Sequence, residues 1–189
     1  MNGNVSAKKI AMVIAFNGFK DSEYLLPKSI FKKAGHAVLT TSNQTGQARG
    51  SEGAKTDVDT PIDNLNVNTL DAIVFIGGSG CLDNLDNQNS YHLAREACQH
   101  GKILAAICIA PVILAKSGVL KEKKATVWSS PDNQSPVEIL KNNKVIYTDE
   151  TIVTDGNIIT ANGAEAATEF AHTILDFFTR GGDNFGQID

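Results

Sequence analysis

The sequence predicts an α/β fold built on a mostly parallel sheet. Three observations carry that prediction. Short apolar runs alternate with segments of helical periodicity along the chain. Several runs are apolar at every position, including IAMVIAF at 10–16 and AIVFI at 72–76, as expected of strands covered by helices on both faces. Glycines at 35, 101 and 118 follow three helical segments, where a left-handed residue commonly ends a helix.

In chain order, 10–16 reads as the first strand and 22–34 as the first helix, with Asp21 and Glu23 favouring its N-terminus. Residues 37–41 (AVLTT) form the next strand, rich in β-branched side chains. The stretch 42–69 is polar and rich in Gly, Asp and Asn. It is too long for a plain connector and is read as holding a small hairpin that forms part of a binding wall. A strand at 72–76 ends in the turn Gly77-Gly78-Ser79-Gly80. A helix at 88–100, a strand at 103–108 and a helix at 110–117 with Pro111 in its first turn follow. Residues 125–128 read as a strand and 137–142 as a helix. Residues 145–147, 152–153 and 158–160 read as short antiparallel or irregular edge strands, with Asp155-Gly156 as a tight turn. The last helix, 163–178, carries the stripe Ala167, Phe170, Ala171, Ile174, Phe177 and Phe178, with Asn162 and Glu165 as a capping pair.

The chain has 189 residues and a mass of 20.2 kDa. At roughly 150 residues per domain this is about one unit, so 1–189 is read as a single domain. Folding at this size buries on the order of 70% of the unfolded surface, so no disulfide is needed for a core. A composition of 42% hydrophobic and 20% charged residues excludes a disordered or collagen-like chain. The net charge of −4 and pI near 5.5 provide no basic footprint for nucleic acid or an anionic membrane. The longest apolar run, 103–115, is shorter than the about 20 residues of a spanning helix, and 10–16 lacks the flanks of a signal peptide. Three cysteines, Cys81, Cys98 and Cys108, cannot all pair and fit no zinc spacing; a reducing, cytoplasmic setting suits such thiols.

Ligands of open α/β sheets bind beyond the carboxyl ends of the strands. That rule selects Glu23, the Gly77–Gly80 turn and Cys108. Cys108 ends a buried strand immediately before a helix, where a tight turn lifts a side chain out of the sheet and helix amides lower a thiol's pKa. The alternative is a small buried apolar residue. Glu23 either complements the helix dipole or points a carboxyl group at Cys108. The glycine turn lacks the G-x-G-x-x-G order of dinucleotide sites. It either serves a positive φ or aims a backbone amide at an anionic oxygen beside Cys108. Cys98 shares an apolar helix face with Ala94 and Ala97 and reads as packing; Cys81 is a candidate redox partner of Cys108. None of His36, His92, His100 and His172 neighbours Cys108 in sequence, and no metal constellation or cofactor motif is present.

The segments Asp21-Ser22-Glu23, 72–78 (AIVFIGG), 105–111 (AAICIAP) and 159–163 (ITANG), in this order, resemble the ThiJ/PfpI superfamily, the family of the Parkinson-disease-associated protein deglycase. The resemblance spans about residues 8–178. It implies a flavodoxin-like three-layer sandwich, a homodimer, and a cysteine on a strained elbow. By the same resemblance Cys108 would be the nucleophile, Glu23 its carboxylic partner, and the backbone amides of Gly78 and Ile109 the anion pocket. It further implies cofactor-independent glyoxalase or deglycase chemistry on small reactive 2-oxoaldehydes or damaged groups. Alternatively it implies an oxidation sensor or holding chaperone whose cysteine becomes a sulfinic acid. Two departures bear on this. Peptidase-like members carry a histidine directly after the cysteine, where this chain has Ile109. Several glyoxalase-type members carry one near the position of Trp128-Ser129-Ser130.

Overall fold

The computed structural model describes residues 6–179 and arranges them as a sheet between two layers of helices. In chain order the elements are β1 (Lys9–Ile14), β2 (Asn17–Phe19), α1 (Asp21–Lys33), β3 (Ala37–Ser42), β4 (Gly46–Gly50), β5 (Lys55–Val58), β6 (Thr60–Pro61) and β7 (Ala72–Phe75). Then come α2 (Cys81–Leu85), α3 (Gln88–Gln99), β8 (Ile103–Ile107), α4 (Pro111–Ser117), β9 (Lys124–Ala125), α5 (Ser135–Asn142), β10 (Ile146–Tyr147), β11 (Ile152–Asp155), β12 (Ile158–Ala161) and α6 (Ala167–Thr179). The central sheet has the order β11-β12-β8-β7-β1-β3-β6, and of its pairings only β11 with β12 is antiparallel. The expected three-layer, mostly parallel architecture is what the chain forms.

The period of two along each strand divides the apolar side chains between two cores. Ala11 and Val13, Ile73 and Phe75, and Leu104 and Ala106 face the layer of α3, α4 and α5. Ile10, Met12 and Ile14, Val74 and Ile76, and Ala105 and Ile107 face α1 and α6, where Tyr24, Phe31, Phe170 and Ile174 pack. With both faces covered, β7, β8 and all of β1 after Lys9 are apolar, and this is why they read as continuous apolar runs. Gly35, Gly101 and Gly118 adopt positive φ after α1, α3 and α4, as the stop signals predicted.

Four local readings are corrected. Residues 158–160 are not at an edge: β12 lies between β11 and β8 and extends the parallel sheet. Residues 145–147 are not antiparallel, because β10 pairs in parallel with β9 in a separate two-stranded sheet. The run at 125–128 pairs only through Ala125. Beyond it the backbone is diverted, with Thr126 N–H donating to Thr160 Oγ1 and Trp128 N–H to the Cys108 carbonyl. Asn162 and Glu165 form no capping pair. The Asn162 amide is held by the Thr151 carbonyl at 3.0 Å, and a 3₁₀ turn, Ala164–Ala166, precedes α6 without a side-chain cap. Sequence patterning missed β2, β6 and α2, which are two to five residues long and too short to carry a period.

Candidate functional site

From β1 the chain crosses through α1 to β3 on one side, then returns to place β7 on the other side of β1. The carboxyl ends of β1 and β7 therefore flank a topological switch point, where such sheets bind ligands. Glu23 in the first turn of α1, the glycines after β7 and Cys108 after β8 converge there. An adjoining cavity of about 610 Å³ is lined by Lys20, Glu23, Ser51, Gly78, Ser79, Leu82, Asp83, Cys108, Ile109, Trp128, Asn133 and Ala164.

Cys108 lies between β8 and α4 with φ of 64°. A left-handed conformation at a residue with a Cβ costs on the order of 1 kcal/mol or more and needs support from its surroundings. Both peptide groups of Cys108 supply it. Its N–H donates to the Ala161 carbonyl and its carbonyl accepts from Trp128 N–H, each at 2.8 Å. The turn leaves Sγ half-buried at the cavity wall, within reach of the backbone amides of Ile109 and Gly78 and of the Glu23 carboxyl group.

Glu23 is 1% exposed, and its Oε2 accepts the Gly77 N–H at 3.1 Å. Gly77 cannot be larger: a Cβ there would stand 2.7 Å from both Cys108 Cβ and Glu23 Oε2. Gly78 has φ of 119°, and a Cβ on it would lie 2.4 Å from the Lys20 nitrogen and the Gly18 carbonyl. Two glycines thus allow the ends of β1, β7 and β8 to approach closely enough to bring an acid and a thiol together. Asp21 has a separate role. Its carboxylate accepts the Ala54 N–H at 2.7 Å and the Glu52 N–H at 3.3 Å, fixing the tip of the β4–β5 hairpin against the start of α1. That hairpin is the one expected within 42–69, and Ser51 at its tip joins the cavity wall.

Burial raises the Glu23 carboxyl from 4.5 to about 7, opposed by the contacts from Cys108 and Gly77. Burial also pushes the Cys108 thiol up to about 12, together with the charge of Glu23 and its hydrogen bond. The amides of Ile109 and Gly78 act in the lowering direction expected of a helix start, but burial beside a carboxylate outweighs them. The lowered thiol pKa expected from position alone is corrected accordingly. Two negative charges are disfavoured in one enclosed space, so the acid and the thiol share protons as a pair. A proton on Glu23 removes the charge that opposes the thiolate and makes the carboxyl a donor toward sulfur.

The remaining candidates separate cleanly. Cys81 is fully buried in the core shared with α3 and α4, where desolvation, joined by the charges of Cys108, Glu23 and Asp86, raises its thiol well above the ordinary value. Cys98 is half-buried against the same core and is also raised by burial. All three thiols are free. Among the described residues no histidine lines the cavity, and no group of His, Cys, Asp and Glu has a metal-binding arrangement. His36 accepts the Lys8 N–H through Nδ1, and burial lowers its pKa. No described helix is long and apolar enough to cross a membrane. The sequence reading missed Lys20, Ser51, Leu82 and Asn133. Of these only Lys20, three residues before Glu23, left a signal in its position.

Residues 8–177 match the profile of the DJ-1/PfpI family. The chain is 37% identical over 173 residues to the uncharacterised protein MJ0967 of Methanocaldococcus jannaschii, covering 91% of this chain and 83% of that one. It is 31% identical over 150 residues to the deglycase PfpI of Pyrococcus furiosus, covering 79% and 87%. Among solved structures, a ThiJ/PfpI domain protein of Brachyspira murdochii superposes with a TM-score of 0.87 at 29% identity, covering 92% of this chain and 98% of that one.

Proposed function

The chain belongs to the DJ-1/PfpI family, and on that premise we propose that it is a stress-protection protein that processes small reactive 2-oxoaldehydes, or the groups they damage, through Cys108 without a cofactor. The observation that carries this reading is the contact of Cys108 with Glu23 at the cavity wall. A carboxyl group with a pKa near 7 is poised both to give and to take a proton at neutral pH. The deglycase name of the Pyrococcus furiosus relative supports the same reaction class.

For methylglyoxal the steps are as follows. The Cys108 sulfur adds to the aldehyde carbon, forming a C–S bond, as the thiol proton passes to the Glu23 carboxylate and from it to the carbonyl oxygen, giving a hemithioacetal. Glu23, again ionised, removes the proton from the former aldehyde carbon and returns it to the adjacent carbon, while the hydroxyl proton moves to the oxygen on that adjacent carbon, leaving a lactoyl thioester. Water then breaks the C–S bond, yielding lactate and the free thiol. Overall, one water is added and no external oxidant or reductant is consumed. The Gly78 and Ile109 amides, which donate toward the Cys108 sulfur, stabilise the oxyanion as it develops.

A second reading has its own support. No histidine lines the cavity among the described residues, so Glu23 alone would carry the proton transfers. The donors around Sγ equally suit a sulfinate, as in an oxidation sensor or holding chaperone. One experiment distinguishes the two: lactate formation from methylglyoxal without glutathione, and peptide mass spectrometry after mild peroxide, on wild type, Cys108→Ser and Glu23→Gln. The enzyme reading expects lactate from wild type and at least about a hundredfold loss in both variants. Undiminished lactate formation by Cys108→Ser overturns it. Two oxygens added first at Cys108, with no lactate formed, favour the sensor.

A further inference from the structure

We propose that Lys20 is an anchor for a substrate carboxylate at the mouth of the cavity, held in reserve by Glu52. The inference rests on the cavity being a carbonyl-processing site and specifies the compounds it favours: 2-oxoaldehydes, or adducts derived from them, whose tail bears a carboxylate. Lys20 is the single cation lining the cavity among the described residues. Its backbone N–H donates to the Gly77 carbonyl at 3.0 Å, so the residue is fixed to the same turn that supports Glu23 and Cys108. Its ammonium donates to Glu52 Oε1 at 2.6 Å.

That ion pair already displays the recognition expected. A carboxylate sits on the Lys20 ammonium, and it is supplied by the hairpin tip that Asp21 clamps beside the cavity. The two side chains are 33% and 50% exposed, so the pair contributes little and an incoming carboxylate can exchange with that of Glu52. Ser51, Ser79 and Asn133 line the same space and bring neutral hydrogen-bonding groups to it. The opposing charges are few. Asp83 lines the cavity but is exposed to water, which screens its charge. Asp21 is spent on backbone amides, and Glu23 shares its proton with Cys108. A three-carbon aldehyde alone would leave most of a cavity of about 610 Å³ empty, leaving room for a charged tail.

The test requires no turnover and compares two alkylating agents of similar size, iodoacetate and iodoacetamide. Each forms an S–C bond to Cys108 and releases iodide; only one carries a carboxylate. The ratio of their rate constants, read on the Cys108 peptide, cancels any change in the reactivity of the thiol itself. Lys20→Met should lower the iodoacetate-to-iodoacetamide ratio about threefold, and Glu52→Gln, which frees the ammonium, should raise it by a similar factor. A ratio unchanged in both variants overturns the proposal. Because alkylation is independent of lactate formation, a shift in the ratio without turnover removes the proposed enzyme activity while leaving the anchor in place.

Discussion

At the residue scale, the proposed chemistry depends on how Glu23 and Cys108 divide their protons. The Glu23 carboxyl is raised by burial from 4.5 to about 7, so between these values the folded chain holds a proton that the unfolded chain has released. Stability linked to this group is therefore full below about pH 4.5 and is lost as pH rises toward 7. At about 1.4 kcal/mol for each tenfold change, the loss is on the order of 3 kcal/mol. Glu23→Gln cannot ionise and escapes it. Denaturant unfolding of both proteins at pH 5 and pH 8 should show the variant gaining on wild type by roughly 2–3 kcal/mol over that interval. A constant difference between the two would mean that Glu23 is ionised at an ordinary pKa. The sequence identified both residues through their positions at strand ends. It could not indicate that the thiol would be raised rather than lowered, because desolvation depends on neighbours distant in the chain.

At the scale of elements, the site is a junction of three strand ends held at contact distance. Gly77 is the point of closest approach, since any side chain there would press on both Cys108 Cβ and Glu23 Oε2. Gly77→Ala should destabilise the fold by about 1–3 kcal/mol and lower kcat/KM for the aldehyde at least about tenfold, as acid and thiol are forced apart. Gly163→Ala is the comparison: its backbone is extended, and its Cβ would meet Trp128 Cδ1 at an ordinary 3.8 Å. It should leave the melting temperature within about 2 °C of wild type. Equal effects of the two substitutions would remove the packing argument. The glycine run was conspicuous in the sequence, yet its purpose emerges only once β7 and β8 lie side by side. The hairpin tip was legible as a polar insertion. Its attachment through Asp21 was not, because that contact joins residues more than thirty positions apart.

At the scale of the whole molecule, the sequence disclosed the parallel sheet because both of its faces are buried and β7, β8 and all of β1 after Lys9 are apolar throughout. What it did not disclose is held by very short elements such as β2, β6 and α2, whose length cannot display a period. The same two-sided burial sorts the three cysteines. Cys81 is sealed in one core, Cys98 is half-buried against it, and Cys108 alone meets the cavity with an acid at its side. We propose that this one thiol organises the activity of the molecule. The most direct measurement is to quench the wild-type protein during incubation with methylglyoxal and map the covalent adduct by peptide mass spectrometry. An adduct on the Cys108 peptide that disappears as lactate accumulates is the expected result. An adduct confined to Cys98 or Cys81, or lactate formed with Cys108 unmodified and replaceable by serine, would contradict it.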